Sequence, residues 1–253
     1  MKITFLGTGT SQGIPVIGCE CEVCLSADFR DKRFRVSVLF EVGDKKIVVD
    51  TGPDFRQQML RERISKIDAV LFTHEHKDHT AGLDDIRPFN HRHHMDMPIY
   101  GRATVLDQLK REFAYIFENK TYPGVPKVLL NTITNSPFEL QGIKVTPIEV
   151  MHHKLPVFGF RIGDITYITD AKLISEVEKE KIKGSKILVI NALQKTQHIS
   201  HFTLAEAIEL AQEIKAEKTY FTHMSHTLGL HVKISKELPD GIELAHDGLV
   251  VEV

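Results

Sequence analysis

Five short apolar runs of this chain end directly in histidine or aspartate, and this pattern limits the possible folds more than any other feature. The residues that follow these runs are Asp50, Thr73-His74, Met151-His152-His153, Thr169-Asp170 and Thr222-His223. Binding and catalytic side chains are commonly built on loops at one end of a rigid sheet. We therefore expect the fold to bring these five strand ends to one edge, where they share a site.

The densest of these endings is the sequence H-E-H-K-D-H at residues 74–79, between an apolar run and an expected helix. His74 and His76 are two residues apart, so an extended backbone points both side chains to the same side. The turn that follows should bring Asp78 and His79 to a second position nearby. Imidazole nitrogens with some carboxylate suit zinc, iron or manganese better than calcium or magnesium. The spacing predicts a metal site on a loop, and a chance histidine-rich polar loop is the alternative.

Three cysteines, Cys19, Cys21 and Cys24, fall within six residues of one another. A set of three closely spaced cysteines makes a poor disulfide framework and a good thiolate metal site. Three sulfurs need one more ligand from a distant part of the chain to complete tetrahedral zinc. The pattern predicts a structural zinc site, and the alternatives are three unrelated thiols or a redox pair with a spare cysteine.

The composition of the 253 residues, 42% hydrophobic and 26% charged, is ordinary for a globular protein. The net charge of -2 gives no general attraction to nucleic acid. No apolar run in the sequence reaches the roughly 20 residues needed to cross a membrane. The first residues read as a strand, without signal-peptide features. We expect a cytoplasmic protein with one domain over residues 1–253 and without a nucleic-acid or membrane partner.

Strand-like runs occur in both halves of the chain, and Gly43-Asp44 and Gly163-Asp164 each separate two of them, as in a β-hairpin. Apolar residues at helical spacing indicate helices at 104–117, 174–183 and 203–215. Each half therefore follows the order strand, hairpin, strand, helix. Two such halves predict an α/β fold in which two sheets pack together with helices outside.

The order of the histidines and aspartates resembles that of the metallo-β-lactamase superfamily of hydrolases. The resemblance implies a four-layer αβ/βα sandwich of two mixed β-sheets with outer helices, and a site for two divalent metals between the sheets. Zinc or manganese, and also iron, fit the implied ligands. It assigns two ligand sets and one shared ligand: His74, His76 and His152; Asp78, His79 and His223; and Asp170. Asp170 would bridge the two metals, and Asp50 would hold the histidine loop through hydrogen bonds.

A narrower resemblance is to the phosphoribosyl cyclic phosphate phosphodiesterases of bacterial phosphonate breakdown. It is carried by the glycine-rich segment 7–15, by the three cysteines and by the T-H-x-x-H segment at 222–226. In that group the cysteines and the second histidine of T-H-x-x-H hold a structural zinc, which implies His226 as the fourth ligand here. The group also has a catalytic histidine before a helix, and the matching residue is His201. The implied partner is a small-molecule phosphodiester substrate, and a homodimer is left open.

Some histidines are not explained by these resemblances. His153 directly follows His152. Neighbouring residues of a strand point to opposite faces, so only one of the two can enter the cleft. The resemblance favours His152. His198 competes with His201 for the catalytic position. The insert 91–94 contains three histidines without a counterpart. We predict that it is a polar surface loop, and a rim that contacts the substrate is the alternative.

The reaction implied by the resemblance is hydrolysis of a phosphodiester, in which two divalent cations activate water and neutralise phosphoryl charge. Asp78 then takes part in the reaction in addition to binding a metal. His201 is our candidate for the proton donor to the leaving oxygen, a role that contributes about 10²–10⁴-fold; a helix N-terminal histidine without substrate contact is the alternative. Arg87 and Asn90 are candidates for binding an anionic substrate group, although Arg87 suits a structural ion pair equally well.

Two other functions within the same superfamily compete with a small-molecule phosphodiesterase. A transfer-RNA 3′-processing nuclease has a similar opening G-T-G segment, but this chain is near neutral and has no long basic arm for RNA. A cofactor-biosynthesis protein resembling the pyrroloquinoline quinone pathway member also carries N-terminal cysteines. A degraded metal loop would favour that protein, whereas all seven implied ligand positions are filled here.

Overall fold

Two mixed β-sheets pack face to face in the computed structural model, which describes residues 1–118 and 124–253. The first sheet is built from β1 (Lys2–Gly7), β2 (Ser37–Val42), β3 (Lys45–Val49), β4 (Ala69–Leu71), β5 (Met97–Gly101) and β6 (Val128–Thr132). The second contains β7 (Phe138–Leu140), β8 (Ile143–His152), β9 (Leu155–Ile162), β10 (Ile165–Tyr167), β11 (Leu173–Ile174), β12 (Ile187–Asn191), β13 (Lys218–Thr222) and β14 (Ile242–Leu244). The last strand, β15 (Val250–Glu252), returns to the first sheet.

The two sheets repeat one topology. The strand order is β15-β1-β2-β3-β4-β5-β6 in the first sheet and β11-β8-β9-β10-β12-β13-β14 in the second, where β7 also pairs with β8. In the first sheet β1, β2 and β3 are antiparallel and β3 to β6 are parallel. In the second, β8, β9 and β10 are antiparallel and β10, β12, β13 and β14 are parallel. The parallel strands of each sheet therefore end at a common edge.

The helices lie between the strands along the chain, and the longer ones cover the outer faces of the sheets. They are α1 (Glu22–Leu25), α2 (Phe55–Arg61), α3 (Lys77–Thr80), α4 (Arg87–His93), α5 (Ala103–Glu112), α6 (Ala114–Glu118), α7 (Glu176–Ile182), α8 (Leu204–Ile214) and α9 (His231–Ile234). Two short 3₁₀ helices lie at Phe29–Asp31 and Leu83–Ile86. No helix of the described ranges is long and apolar enough to span a lipid bilayer.

Apolar side chains form three layers of core. Between the sheets, residues of both sheets such as Phe40 and Phe160 pack together and are fully buried. Outside the first sheet, Phe55 of α2 and Leu109 of α5 pack on its outer face, and Leu210 of α8 does the same for the second sheet. Burial of such side chains is the main force that holds the layers together. The predicted four-layer αβ/βα sandwich is confirmed.

Helix α8 shows how the sequence specifies an element next to the site. The side chain of Thr203 accepts a hydrogen bond from the backbone N–H of Glu206, whose carboxylate accepts one from the backbone N–H of Thr203. This reciprocal capping satisfies two backbone donors that the first turn leaves free. The buried residues of α8 recur at helical spacing: Leu204, Ala207, Leu210, Ala211 and Ile214.

The local predictions are largely confirmed, with two differences. Gly43-Asp44 joins β2 to β3 and Gly163-Asp164 joins β9 to β10, as the hairpin signals predict. The helix expected at 104–117 is two helices, α5 and α6, that meet at Phe113. The strands β5, β6, β7, β11, β14 and β15 were not predicted. β7, β11, β14 and β15 are too short to show periodicity, β5 contains Pro98, and β6 has no fully buried position.

Candidate metal centre

The predicted site residues lie at the carboxyl ends of strands from both sheets. Asp50 follows β3 and His74 follows β4, while Asp170 and His223 follow β10 and β13. Three of these residues have left-handed backbone conformations, with φ of 66° at Asp50, 57° at Asp170 and 54° at His223. Such conformations are uncommon outside glycine and cluster at functional sites. The five strand ends thus meet at one edge, as the sequence predicts.

Asp50 holds the histidine loop from beneath. Its Oδ1 accepts a hydrogen bond from the backbone N–H of Thr73 at 2.9 Å, and its Oδ2 accepts one from the Thr73 hydroxyl at 2.8 Å. The same Oδ2 lies 2.7 Å from Nδ1 of His79. Both Asp50 and His79 are fully buried. A carboxylate bonded to the far nitrogen of a histidine leaves Nε2 free for a metal, which is the support predicted for Asp50.

His74 and His76 face each other at the start of the loop. Nε2 of His74 lies 3.1 Å from Nδ1 of His76. The hydroxyl of Thr73 lies 3.0 Å from Nδ1 of His74 on its other side. Two nitrogens bound to one tetrahedral metal at about 2.0–2.1 Å would lie roughly 3.3 Å apart, so this pair has a spacing that a shared metal would produce. His74 is buried, whereas His76 is exposed at the mouth of the cleft.

Asp78, His79 and His223 form a second group whose ligand atoms all lie within 4.8 Å of one another. Nε2 of His79 is 3.2 Å from Oδ2 of Asp78 and 3.4 Å from Oδ2 of Asp170. The other oxygen of Asp170 is 3.1 Å from Nε2 of His223. Asp170 also belongs to two further sets of candidate ligands within the same distance, one with His74 and His79 and one with His152 and His201.

His152, at the end of β8, lies beside His74 and His76. Its Nδ1 is 3.1 Å from the backbone carbonyl oxygen of Ser200. Because a carbonyl only accepts, Nδ1 carries the proton and Nε2 is unprotonated in the neutral ring, which is the form that binds a metal. The ring centre of His152 is 5.3 Å from that of His76. His153 is exposed in the β8–β9 turn with φ of 55°, so of the two neighbours His152 enters the cleft.

His201 is brought to the cluster by the loop before α8. Its ring centre lies 4.7 Å from those of His152 and His223. Its Nδ1 is buried without a hydrogen-bond partner in the described parts of the chain, 3.9 Å from Oδ1 of Asp170. Burial, followed by the neighbouring His223, lowers the pKa of His201 to about 2. The imidazole is therefore neutral at neutral pH, although the neighbouring Asp170 carboxylate favours its protonated form.

The electrostatics of the cluster are dominated by three carboxylates around one imidazole. Burial disfavours a charge on His79, but Asp170, Asp50 and Asp78 together outweigh it and raise the pKa of His79 well above its ordinary value. Burial likewise opposes ionisation of Asp170, yet His223 and His79 hold the pKa of Asp170 well below its usual range. Burial lowers the pKa of His74 far below normal. The cluster thus combines an ionised Asp170 with a protonated His79 and a neutral His74.

The donor set fits divalent metals. Nε2 of His79 and both ring nitrogens of His223 are buried without a hydrogen-bond partner among the described residues. Buried polar atoms normally have partners, so orphaned nitrogens that converge on carboxylates need an explanation. A divalent cation would satisfy these nitrogens and balance the carboxylates. Imidazole and carboxylate are ligands of zinc, manganese and iron.

The three cysteines meet His226 at a separate position, close to the N-terminal loop. The Sγ atoms of Cys19, Cys21 and Cys24 lie 3.3, 3.4 and 3.6 Å from Nδ1 of His226. Tetrahedral zinc with bonds of about 2.3 Å to sulfur and 2.0–2.1 Å to nitrogen places such ligands roughly 3.6 Å apart. The backbone N–H of Cys24, and then His226, lower the pKa of Cys21 to about 6. Cys21 is therefore mostly thiolate at neutral pH, the form that binds metals.

Three supporting residues were missed by the sequence analysis. The Thr73 hydroxyl links Asp50 to His74, the Ser200 carbonyl orients His152, and the Asn191 side chain holds the loop after Asp170 through the N–H and carbonyl of Ala171 at 2.7 and 3.0 Å. Thr73 and Asn191 sit at strand ends, a position that could have marked them. Nothing in the local sequence marks Ser200, because its contribution is a backbone atom.

Other candidates lie away from the cluster or have structural partners. Arg87 forms an ion pair with Asp84, which is the structural alternative left open for it. The prediction that Asn90 binds substrate is wrong, because Asn90 is buried and its amide bonds to backbone groups of Met95 and Lys127. The insert 91–94 belongs mainly to helix α4, not to a loop, and His91 and His94 are exposed at its end.

Comparison with known proteins connects this geometry to a family. A family model described as the β-lactamase superfamily domain matches residues 45–224. A curated relative, the octanoyltransferase of Porphyromonas gingivalis (strain ATCC BAA-308 / W83), is 39% identical over 252 residues. The match covers 98% of this chain and 51% of the relative, so the chain spans about half the length of that protein.

Solved structures show the same architecture. The crystal structure of a new diphosphatase from the PhnP family is 40% identical and superposes with a TM-score of 0.93 over 100% of this chain and 97% of the other. Zinc-bound PqqB from Methylobacterium extorquens is 21% identical, with a TM-score of 0.78 over the full length of both chains. The second likeness establishes the fold alone, whereas the first extends to sequence.

Proposed function

The chain belongs to the metallo-β-lactamase superfamily and is a hydrolase, and on that basis we propose that it hydrolyses a small phosphodiester at a two-metal site. The observation that carries the proposal is the convergence of candidate metal ligands on Asp170, which lies with His74 and His79 in one set and with His152 and His201 in another. A cyclic phosphodiester of a sugar is the substrate that the sequence resemblance favours. The relative of the PhnP family is called a diphosphatase, and a diphosphate diester contains a comparable phosphorus–oxygen bond.

In this proposal His74, His76 and His152 hold one cation, Asp78, His79 and His223 hold the other, and Asp170 contacts both. The convergence of these side chains supports the assignment, and the individual ligand roles stay predictions. Divalent cations at these positions would supply an activated water and neutralise phosphoryl charge. Asp50 keeps His79 oriented, and Ser200 keeps His152 oriented through the hydrogen bonds described above.

We assign the leaving oxygen to the His201 side of the cleft. When the phosphorus–oxygen bond breaks, an alkoxide of high pKa needs a proton, and His201 is placed to donate it. A phosphodiester anion next to the imidazole supplies the negative charge that favours its protonated form, against the burial that otherwise disfavours it. His201 thus contributes most when the leaving group is poor.

We also propose that Cys19, Cys21, Cys24 and His226 hold a structural zinc. The support is the match of the three sulfur–nitrogen distances to tetrahedral zinc. His223 and His226 lie on the same short segment after β13. A zinc at the cysteines would therefore anchor the segment that carries one of the candidate catalytic ligands.

The test is a substrate screen of the purified protein with divalent metals added. The panel contains a ribose cyclic phosphodiester, bis(p-nitrophenyl) phosphate, a dinucleoside diphosphate, a phosphomonoester, a β-lactam and an octanoyl thioester. We expect turnover of the diesters, and the first and third substrates separate a phosphodiesterase from a diphosphatase. The thioester tests whether the matched half of the octanoyltransferase relative accounts for its name. Hydrolysis confined to the last three substrates would refute the proposal.

The His201→Ala variant tests the assigned proton donor in the same screen. We expect turnover of the ribose diester to fall about 10²–10⁴-fold, because its leaving alkoxide needs a proton. The aryl diester should lose less than about tenfold, because nitrophenolate is a good leaving group that needs little protonation. His91→Ala, at an exposed histidine of α4, is the control and should behave as wild type. Equal losses on both diesters would show that His201 is not the donor.

A further inference from the structure

His198 is the outermost of a row of imidazoles that begins at the candidate metal cluster. Its ring centre lies 5.0 Å from that of His201, whose ring is 4.7 Å from that of His223. The exposed fraction rises from 2% at His223 to 8% at His201, and His198 is half-buried. His198 therefore lines the mouth of the cleft directly beyond the residue that we assign to the leaving oxygen.

The loop that carries His198, residues 194–202, is firmly attached at its base. The backbone N–H of Leu193 donates to the carbonyl of Phe202 at 3.0 Å, and the N–H of Leu204 donates to the carbonyl of Gln194 at 2.8 Å. The N–H of Phe202 donates to the carbonyl of Ala171, one residue after Asp170. These contacts fix the loop to the segments that carry the candidate ligands. A side chain on such a loop is held at a defined position in the cleft.

Hydrogen bonding sets the tautomer of His198. The backbone N–H of Ser200 donates to Nδ1 of His198 at 3.3 Å. Nδ1 is therefore an acceptor without a proton, and the neutral ring carries its proton on Nε2. Across residues 1–118 and 124–253, no protein atom accepts from this Nε2. His198 thus presents a neutral N–H donor without a protein partner at the mouth of the cleft.

The neighbouring Ile199 follows His198 in the chain, and its side chain is 68% exposed. A ligand with an oxygen acceptor in the cleft would satisfy the outer donor of His198. A neutral N–H donor suits a hydroxyl or ether oxygen better than it suits a phosphate, for which charged donors are stronger.

We propose that His198 is a specificity residue that binds the leaving group, and that its Nε2–H donates to a hydroxyl or ether oxygen of a sugar-like alcohol. The inference rests on the proposed function, since it places the leaving group on the His201 side of the cleft. His198 then selects hydroxylated leaving groups over plain aryl groups. His201 acts on the bond that breaks, and His198 holds the remainder of the departing alcohol.

Two isosteric substitutions separate substrate binding from a role in holding the loop. In His198→Asn the side-chain oxygen takes the place of Nδ1 and keeps the bond from the N–H of Ser200, as asparagine does in Asx turns, but the outer donor is lost. In His198→Gln the amide nitrogen reaches the Nε2 position and keeps the donor, while the loop bond is lost. Steady-state kinetics are measured for both variants on the ribose cyclic phosphodiester and on bis(p-nitrophenyl) phosphate.

We expect His198→Asn to lower kcat/KM about three- to tenfold for the ribose diester, mainly through KM, and to leave the aryl diester unchanged. That range is what loss of one neutral hydrogen bond produces. His198→Gln should retain most of the wild-type preference. If His198→Gln instead loses more activity than His198→Asn, and loses it equally on both substrates, His198 only holds the loop. Unchanged kinetics in both variants would also overturn the inference. If wild-type protein hydrolyses neither diester, the proposed function itself fails and the inference falls with it.

Discussion

At the scale of single residues, the candidate centre depends on buried groups that are stable only as a set. Asp50 is fully buried, and burial raises the pKa of its carboxyl despite His79 and the Thr73 donors beside it. An isolated buried carboxylate would be strongly unfavourable, so its three hydrogen-bond contacts are what keep it in place. Left-handed backbone at Asp50, Asp170 and His223 costs further free energy, of order 1 kcal/mol each or more. Packing within the surrounding sheets must offset this free-energy cost.

The Asp50→Asn variant tests this support. The amide nitrogen that replaces one oxygen cannot accept from the Thr73 hydroxyl or from Nδ1 of His79. We expect metal affinity at the catalytic pair to fall about 10–100-fold, as for other residues that orient metal ligands. Metal content after dialysis should therefore approach one ion per chain, the ion at the cysteines. Activity at limiting metal should fall in parallel.

A matched control is available in the same sheet. Asp68 lies at the opposite end of the strands, where it accepts a hydrogen bond from the backbone N–H of Lys46 and pairs with Lys66. Asp68→Asn should cost some stability without any loss of metal. Full retention of all ions by Asp50→Asn would contradict the assigned role of Asp50.

At the scale of elements, α8 couples a helix start to a functional loop. The capping box at Thr203 begins two residues after His201, so the same hydrogen bonds that start the helix also end the 194–202 loop. Helix α7 begins with a simpler cap, in which the Ser175 side chain accepts from the N–H of Glu178. The two helices pack against the same sheet. Loss of the N-cap at each helix can therefore be compared, which separates an effect on stability from an effect on function.

Thr203→Ala should cost about 1 kcal/mol of the free energy of unfolding, the usual loss for an N-cap. It should also lower kcat on the ribose diester, because the backbone around His201 loses its anchor. Ser175→Ala should cost a similar free energy and leave kcat unchanged. Urea denaturation and steady-state kinetics measure the two effects. Equal activity of the two variants would show that the cap at α8 serves stability alone.

At the scale of the whole molecule, the two sheets contribute candidate ligands to one cluster, and the group of cysteines with His226 joins distant parts of the chain. The sulfurs come from residues 19–24 and the nitrogen from His226, about two hundred positions later. Additional long-range contacts lie beside them, including Arg33 bonded to the carbonyl of Ala245 at 2.8 Å. A zinc here would close a large loop and so restrict the unfolded chain.

The Cys21→Ser variant is expected to lose one metal ion per chain and to unfold at a lower temperature, because the zinc binding energy no longer favours the folded state. The catalytic pair should remain largely loaded, since its ligands come from other residues. Metal analysis and thermal unfolding measure both. Glu22→Gln, at an exposed carboxylate paired with Lys233 in the same segment, is the control. Simultaneous loss of all ions would contradict two separate sites.

The sequence by itself determined the superfamily, the α/β sandwich and the grouping of histidine and aspartate at strand ends. These features are written in local patterns: alternating apolar runs, Gly-Asp turns and the H-x-H-x-D-H spacing. Such patterns act over a few residues, so they can be recognised without knowing which segments meet. The spacing of the cysteines predicted a metal site for the same reason, although only the resemblance supplied His226.

Only the tertiary structure decided which of the candidate residues line the metal centre. It placed His152 in the cleft and His153 in solvent, and it turned Asn90 from a substrate candidate into a partner of backbone groups. It also made the carbonyl of Ser200 and the ring of His198 part of the cleft. Several of these outcomes depend on contacts between distant residues, such as His152 with Ser200 and Asn90 with Lys127. Those contacts are set by the packing of two sheets, which no local pattern records.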